Sequence, residues 1–95
     1  MSKNIKKITI KNIEKKLLDS LAPTYLEITD ESSKHASHNP NSRNNITHIK
    51  ILIYSHNLKI LPIVQSHRLI YQLLSEELEN GLHSIEIKIK TPPLN

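Results

Sequence analysis

The stretch SHRLIYQLLSEELENGLH, residues 66–83, decides how this chain folds, because a helical pattern reaches a clear stop there. Side chains at helical spacing predict one buried face of a helix: His67, Ile70, Tyr71, Leu74 and Leu78. Asn80 and Gly81 follow, and Gly81, the only glycine in the chain, suits the left-handed conformation that ends many helices. We therefore expect a helical region that ends at Gly81 and leaves His83 at the start of the next element.

A strand is predicted directly after this stop. His83 and three isoleucines alternate with polar residues up to Lys90, and Pro92 and Pro93 then end the pattern. Because His83 shares the parity of the isoleucines, we expect packing to hold its ring while one ring nitrogen faces solvent. In the preceding helical region, Glu76, Glu77 and Glu79 are expected to face outward.

The first half of the chain predicts one helix and two further strands. Apolar residues at helical spacing indicate the helix: Ile10, Ile13, Leu17, Leu18 and Leu21. Thr9 or Asn12 can cap its start, and Pro23 lies just beyond its end. Tyr25 to Asp30 and Thr47 to Ser55 alternate as strands do, and the second has partly apolar residues on both faces, so we expect it to lie centrally.

The connections are polar. Residues 31–46 combine Ser, Asn, Pro and His with almost no apolar content, which predicts an exposed loop. A short connection containing Pro62 follows the second of these strands, with His56 as a turn residue. The order helix, strand, strand, helical region, strand indicates an α+β fold in which helices cover one face of a three-stranded sheet. We expect one domain over residues 1–95, with a basic arm at 1–9 and a tail at 92–95.

Composition narrows the functions that this chain can perform. It has no cysteine, which excludes disulfides, thiol catalysis and any all-cysteine metal site built by the chain alone. No apolar run approaches a membrane span or a secretory signal, so a cytoplasmic location is expected. The net charge is +4, but residues 1–16 hold six lysines and one glutamate, whereas the remaining 79 residues hold seven basic and eight acidic groups. The basic character therefore belongs to the amino-terminal segment.

Four features together resemble the BolA family across nearly the whole chain: DES at residues 30–32, His35, the strand THIKILIYS at 47–55, and the stretch 66–83. The resemblance implies the class II KH-like fold of that family, with the order α-β-β-α-α-β and a mixed sheet. The chain departs from the family pattern at Leu58 and Ile60, where a phenylalanine and a glycine are usual, and in its PPLN tail. By the resemblance, both departures put the partner-binding surface, rather than the fold, in question.

The resemblance also implies a metal site. By position, His83 matches the family's iron-sulfur ligand, His35 matches a second ligand in the loop after DES, and His38 is close enough to substitute. Two histidines cannot hold a [2Fe–2S] cluster alone. The resemblance implies that a monothiol glutaredoxin supplies thiolates from its cysteine and from bound glutathione, so that the isolated chain is an apo protein, expected as a monomer.

Other residues match the family without being assigned to the cluster. His67 and Arg68 belong to its helix signature, with Ser66 where arginine is usual; we expect His67 to pack and Arg68 to face outward. His48 also matches a family position, and we expect a structural role for it.

Two alternatives to the cluster adaptor stay open, a DNA-binding transcriptional regulator of stress or envelope genes and an interaction module without metal. One glycine excludes the GXXG loop with which KH domains hold nucleic acid, so DNA contact would fall to Arg68, Lys7 and Lys11. An enzyme is not expected. Glu76 and Glu77 are adjacent on a helix and expected to point apart into solvent, and Ser32 with His35 has no identifiable orienting acid.

Overall fold

The computed structural model describes residues 7–34 and 46–90. In chain order these residues form α1 (Ile10–Leu21), β1 (Tyr25–Asp30), a 3₁₀ turn (Ser32–Lys34), β2 (His48–Tyr54), α2 (His56–Lys59), α3 (Ile63–Leu73), α4 (Ser75–Glu79) and β3 (Ser84–Ile89). Most of the predicted basic arm, both loop histidines His35 and His38, and the PPLN tail lie outside the described residues.

The sheet explains the alternating patterns of the sequence. Its order is β1-β2-β3, with β1 antiparallel to β2 and β2 parallel to β3, so the prediction of a central second strand is confirmed. Two parallel neighbours need a crossover connection, which α2 to α4 supply. The isoleucines of β2 are buried under the helices: Ile49, Ile51 and Ile53. The molecule thus has the predicted α+β fold, a mixed three-stranded sheet with helices on one face.

Helix α1 begins and ends as its sequence dictates. The side-chain oxygen of Thr9 accepts a hydrogen bond from the Asn12 amide at 3.1 Å, which makes Thr9 the cap. At the other end Ala22 adopts a positive φ of 44° and donates its amide to the Leu18 carbonyl at 3.1 Å. Leu18 itself is 45% exposed, so its assignment to the apolar face was wrong.

Two predictions about the segments flanking these elements need correction. Ile8, which we assigned to the basic arm, is 4% exposed and belongs to the core. Ile46, assigned to the exposed loop, is half-buried against the same core. In both cases an isoleucine next to a regular element extends the apolar face of that element and is buried with it.

The connection after β2 is a helix and not a plain turn. Ser55 caps α2 by accepting the Asn57 amide at 3.2 Å, and its hydroxyl donates to the Leu21 carbonyl of α1 at 2.7 Å. His56 is therefore the first residue of a one-turn helix, which corrects its prediction as a turn residue. Of the two residues that depart from the family pattern, Ile60 is 64% exposed, whereas Leu58 is buried in the core, which corrects its connection with a partner-binding surface.

The helical region after Pro62 divides at Leu74, where φ is −105° and ψ is 21°. Ser66, Ile70 and Leu74 lie along the buried stripe. Tyr71, predicted on that face, is 42% exposed because it follows Ile70 by about 100° of helical rotation. Glu77, predicted to face outward, is buried at 6% exposure because it continues the same stripe and meets a cation from α1.

The predicted stop at Gly81 is confirmed. Gly81 has a φ of 126°, a region that other residues avoid, and the Leu82 amide returns to the Glu77 carbonyl at 2.9 Å. This return bond is the mark of a Schellman helix end. It turns the chain sharply, so that Leu82 enters the core at 2% exposure and His83 reaches the edge of the sheet.

Candidate functional site

The candidate site is the start of the two parallel strands, which we call the histidine edge and define as Thr47, His48 and His83. The His83 amide donates to the Thr47 carbonyl at 2.7 Å, directly before β3 begins at Ser84. This bond fixes the backbone of His83 to the adjacent strand. His83 is exposed, so its ring is available to a second molecule. We had expected packing to hold the ring, and this expectation was wrong.

His48 is the neighbour that contacts the exposed ring. It opens β2 opposite Ser84, and the His48 and His83 ring centroids are 6.1 Å apart at an interplanar angle of 67°, an edge-to-face contact. The Thr47 hydroxyl lies 2.9 Å from Nδ1 of His48. We expected a structural role for His48 and did not predict its contact with His83. No local signal marked the contact, because it depends on the parallel pairing of β2 with β3, which places the first residues of both strands at the same end of the sheet.

The DES segment contacts the histidine edge. The Asp30 carboxylate accepts the Ser32 amide at 2.9 Å, forming a local turn. The Ser32 hydroxyl oxygen then accepts the Thr47 amide at 2.9 Å and the His48 amide at 3.3 Å. Ser32 therefore ties the point where the loop leaves to the point where it returns. His35 follows Ser32 by three positions in the sequence, and His35 and His38 lie outside the described residues.

The two signature residues of α3 lie on a separate surface. Arg68 is exposed, as predicted, and His67 is half-buried. Both line an open groove of about 680 Å³ together with Val64, Tyr71, Gln72 and Ser75. The Tyr71 hydroxyl donates to the Ile85 carbonyl of β3 at 3.3 Å, so this helix face adjoins the strand that His83 precedes. Ile60, Ile63 and Val64 add exposed apolar area near the start of α3.

Two acidic residues of α4 have a different environment from the one we predicted. Glu76 and Glu77 were expected to point apart into solvent, but both contact the Lys16 ammonium group, at 3.2 Å and 2.7 Å. Burial by itself lowers the pKa of Lys16, but hydrogen bonds to Glu77 and Glu76 and their charges outweigh it and hold the pKa above its usual value. The two carboxylates are therefore partners of one cation.

The basic residues considered for DNA contact occupy two places. Lys7 and Lys11 are exposed at the start of α1, whereas Arg68 is exposed on α3. Lys7 lines a groove of about 300 Å³ that also contains Asp19, Glu76 and Glu77. Acidic groups thus share the surface beside Lys7.

The described residues provide only some of the ligands that an iron site needs. In the ranges 7–34 and 46–90 there is no group of three or more His, Cys, Asp or Glu side chains that could hold an ion. The histidine edge offers imidazole nitrogens, which suit iron, at an exposed position, and the chain contains no thiolate. A cluster at His83 therefore requires ligands from another molecule.

Among the described residues no helix is long and apolar enough to cross a membrane.

The fold and the histidine edge together define a small α+β domain that presents an exposed histidine at the start of its last strand. This chain belongs to the BolA family: the family model described as BolA-like protein matches residues 17–93. The recognition made from DES, His35, the second strand and the helix signature is thereby confirmed.

Individual relatives support this membership. The chain is 39% identical over 82 residues to the chloroplastic protein BOLA1 of Arabidopsis thaliana, covering 84% of this chain and 51% of that protein. It is 38% identical over 80 residues to the DNA-binding transcriptional regulator BolA of Haemophilus influenzae, covering 84% and 74% respectively. The chain thus spans about half the length of the Arabidopsis relative.

Solved structures agree with the fold. BolA1 from Arabidopsis thaliana superposes with a TM-score of 0.78 at 33% identity, covering 100% of this chain and 98% of that one. The solution structure of mouse BolA1 gives a TM-score of 0.70 at 31% identity, with 97% and 73% covered.

Proposed function

We propose that this protein is an adaptor that binds a monothiol glutaredoxin and co-ligates a [2Fe–2S] cluster with it, for iron-sulfur cluster trafficking or for iron and redox regulation. His83 supplies one ligand and the loop after DES supplies the second, through His35 or, in its place, His38. The observation that carries the proposal is the exposed His83 ring, held against His48 at the edge where Ser32 anchors the loop. We place the protein in the cytoplasm, as a monomer until the partner binds.

The chemistry of the donors supports a divided coordination sphere. Histidine nitrogens from this chain would ligate one iron, and thiolates from the glutaredoxin and its glutathione would ligate the other. A cluster with mixed nitrogen and sulfur ligands has a higher reduction potential than an all-thiolate one and releases its histidines when they protonate. The chain's own residues hold the site: Thr47 fixes the His83 backbone, and His48 supports its ring.

The α3 groove is the proposed docking surface for the glutaredoxin. It is open, it contains the signature residues His67 and Arg68, and Tyr71 connects it to β3 beside the histidine edge. A partner whose thiolates ligate the cluster beside His83 would cover this groove with the same body. The exposed Ile60 and Ile63 extend the surface where this chain departs from the family pattern.

Reconstitution tests the ligand assignment. The protein is mixed with a monothiol glutaredoxin, iron, sulfide and glutathione, and the visible circular dichroism is compared with that of the glutaredoxin homodimer. We expect a distinct heterodimer spectrum that His83→Ala abolishes, and that His35→Ala or His38→Ala alters according to which histidine ligates. His56→Ala is the matched control, because His56 is exposed at the opposite end of β2. A heterodimer spectrum that survives His83→Ala would overturn the assignment.

A DNA-binding function is the second candidate, favoured by the name of the Haemophilus relative and by the exposed Arg68, Lys7 and Lys11. Titration of a DNA duplex at several salt concentrations tests it. Sequence preference that survives physiological salt and is lost in Arg68→Ala supports readout by α3. Binding that disappears with salt, or with Lys7→Ala and Lys11→Ala alone, reflects only phosphate attraction.

A further inference from the structure

One partly buried ion pair joins the first helix to the segment that ends at His83. The Lys16 ammonium lies 2.7 Å from one carboxylate oxygen of Glu77 and 2.9 Å from the other. The Glu77 side chain is only 8% exposed and that of Lys16 is 32% exposed, whereas the Glu76 side chain, which contacts the same ammonium at 3.2 Å, is 51% exposed. Of the two carboxylates, Glu77 is therefore the one that depends on its cation, because water can solvate Glu76.

Glu77 is also the residue from which the chain turns toward the histidine edge. Its carbonyl accepts the Leu82 amide at 2.9 Å, and the next residue, His83, donates its amide to Thr47 at 2.7 Å. The side chain of Glu77 thus anchors α4 to α1, and its backbone fixes the turn that delivers His83. The Glu77–Leu82 hydrogen bond and the peptide bond from Leu82 to His83 therefore connect the ion pair to the backbone of the candidate ligand.

Helix α4 needs such an anchor. It has five residues and no side-chain cap at its N-terminal end, and a helix of that length does not persist without tertiary contacts. If Lys16 loses its charge, the Glu77 carboxylate must stay buried without a cation, take up a proton or turn toward water, and each outcome removes the ion pair that ties α4 to α1. Turning toward water rotates α4 and displaces the carbonyl that holds Leu82.

We propose that Lys16 and Glu77 are positioning residues for His83, which act by holding α4 and its terminal turn in place. The effect on the cluster rests on the proposed function, whereas the effect on the position of His83 does not. A measurement on the protein alone therefore tests the position of His83, and a measurement on the reconstituted complex tests the effect on the cluster.

The first measurement uses the protein without partner or metal. Amide hydrogen exchange at Leu82 and His83, and the nuclear Overhauser effect between the His48 and His83 rings, are compared in Glu77→Gln, Lys16→Met and the control Glu76→Gln. We expect exchange at Leu82 and His83 to accelerate roughly tenfold more than at the buried Ile51 in the first two variants. The ring contact should weaken in both variants, Glu76→Gln should stay within about twofold of the wild type, and Lys16→Arg should restore protection.

The outcomes distinguish positioning from general stability. If exchange accelerates equally at Leu82, His83 and Ile51, or at none of them, the positioning role is wrong. Should Lys16→Met fail to fold, Glu77→Gln, which keeps the shape of the side chain, carries the same test.

The second measurement repeats the cluster reconstitution with Glu77→Gln and Glu76→Gln. We expect the first to reduce the yield of the heterodimer spectrum severalfold and the second to leave it unchanged. If His83→Ala has no effect on that spectrum, the proposed function fails while the positioning result in the free protein stands. If His83→Ala abolishes the spectrum and Glu77→Gln changes neither exchange nor yield, the positioning proposal fails alone.

Discussion

His48 and His83 meet edge to face with their ring centroids 6.1 Å apart, although the whole crossover of three helices separates them in sequence. Parallel pairing of β2 with β3 creates this contact by placing the first residues of both strands at one end of the sheet. One of the two rings is half-buried and the other is exposed. A fixed neighbour thus limits the orientations of a ring that a second molecule can still reach.

Removing the supporting ring should have a different effect from removing the ligand. In His48→Ala we expect the heterodimer spectrum to keep its shape but to decay faster, because His83 remains as a ligand and loses its support. Cluster half-life in the presence of a chelator measures this. A complete loss of the heterodimer spectrum in His48→Ala, equal to that in His83→Ala, would instead make His48 a ligand.

Backbone conformation at the two helix ends predicts substitutions of opposite effect. Gly81→Ala should destabilise the protein by about 1 kcal/mol or more, because a φ of 126° is strained for alanine while its Cβ would find room, with the nearest atom, Cδ1 of Ile8, at 4.0 Å. Ala22→Gly should stabilise it by a few tenths of a kcal/mol to about 1 kcal/mol, because Ala22 has a φ of 44°. Urea unfolding measures both. Equal effects of the same sign would contradict this explanation.

The Ser55 hydroxyl should contribute measurably to folding. It is fully buried and donates to the Leu21 carbonyl at 2.7 Å, while also capping α2. Ser55→Ala leaves the Asn57 backbone amide without its side-chain partner and the Leu21 carbonyl with only the Asn57 side-chain amide at 3.5 Å, and we expect a loss of about 1–3 kcal/mol in the free energy of unfolding. Thr24→Ala is the control, because the Thr24 hydroxyl is exposed and its contact to the Tyr54 carbonyl is 3.5 Å long. A loss no larger than that of the control would show that the bond is unimportant.

The Lys16 ion pairs predict a loss of stability at high pH. Because the pKa of Lys16 is raised in the folded state, its contribution is fully present below the unfolded value of about 10.5 and is lost as pH rises through the folded pKa. The hydrogen bond from Tyr25 to Glu27 at 2.7 Å also raises the pKa of Tyr25, so the measurement is best made in a Tyr25→Phe background. Between pH 9 and 12 the free energy of unfolding should fall less in the Lys16→Met variant than in the protein that retains Lys16. Parallel curves would contradict the assignment.

The fold could be predicted from sequence wherever a local signal determined it. Thr9 was one of two predicted caps, and Gly81 was the predicted stop, because cap and stop chemistry act within a few residues. Strand alternation placed β1 correctly and put β2 in the centre for the same reason. These signals require no knowledge of distant contacts.

Glu77 and His48 could not be placed in this way. Glu77 lies three residues after Leu74 on the buried stripe, but only the approach of Lys16, 61 residues earlier in the chain, makes burial of a carboxylate acceptable. His48 contacts His83 only because the two strands are parallel neighbours. From the sequence we assigned Glu77 to solvent and His48 to a general structural role. Their actual contacts could not be predicted, because they depend on tertiary structure.

The most direct test of the central claim is pulsed electron paramagnetic resonance of the reduced cluster, with only this chain labelled with nitrogen-15. A histidine ligand from this chain predicts a strong nitrogen-15 coupling in the heterodimer, which His83→Ala removes or reduces and His56→Ala retains. If the only strongly coupled nitrogen is unlabelled, or no nitrogen couples strongly, His83 is not bound to iron.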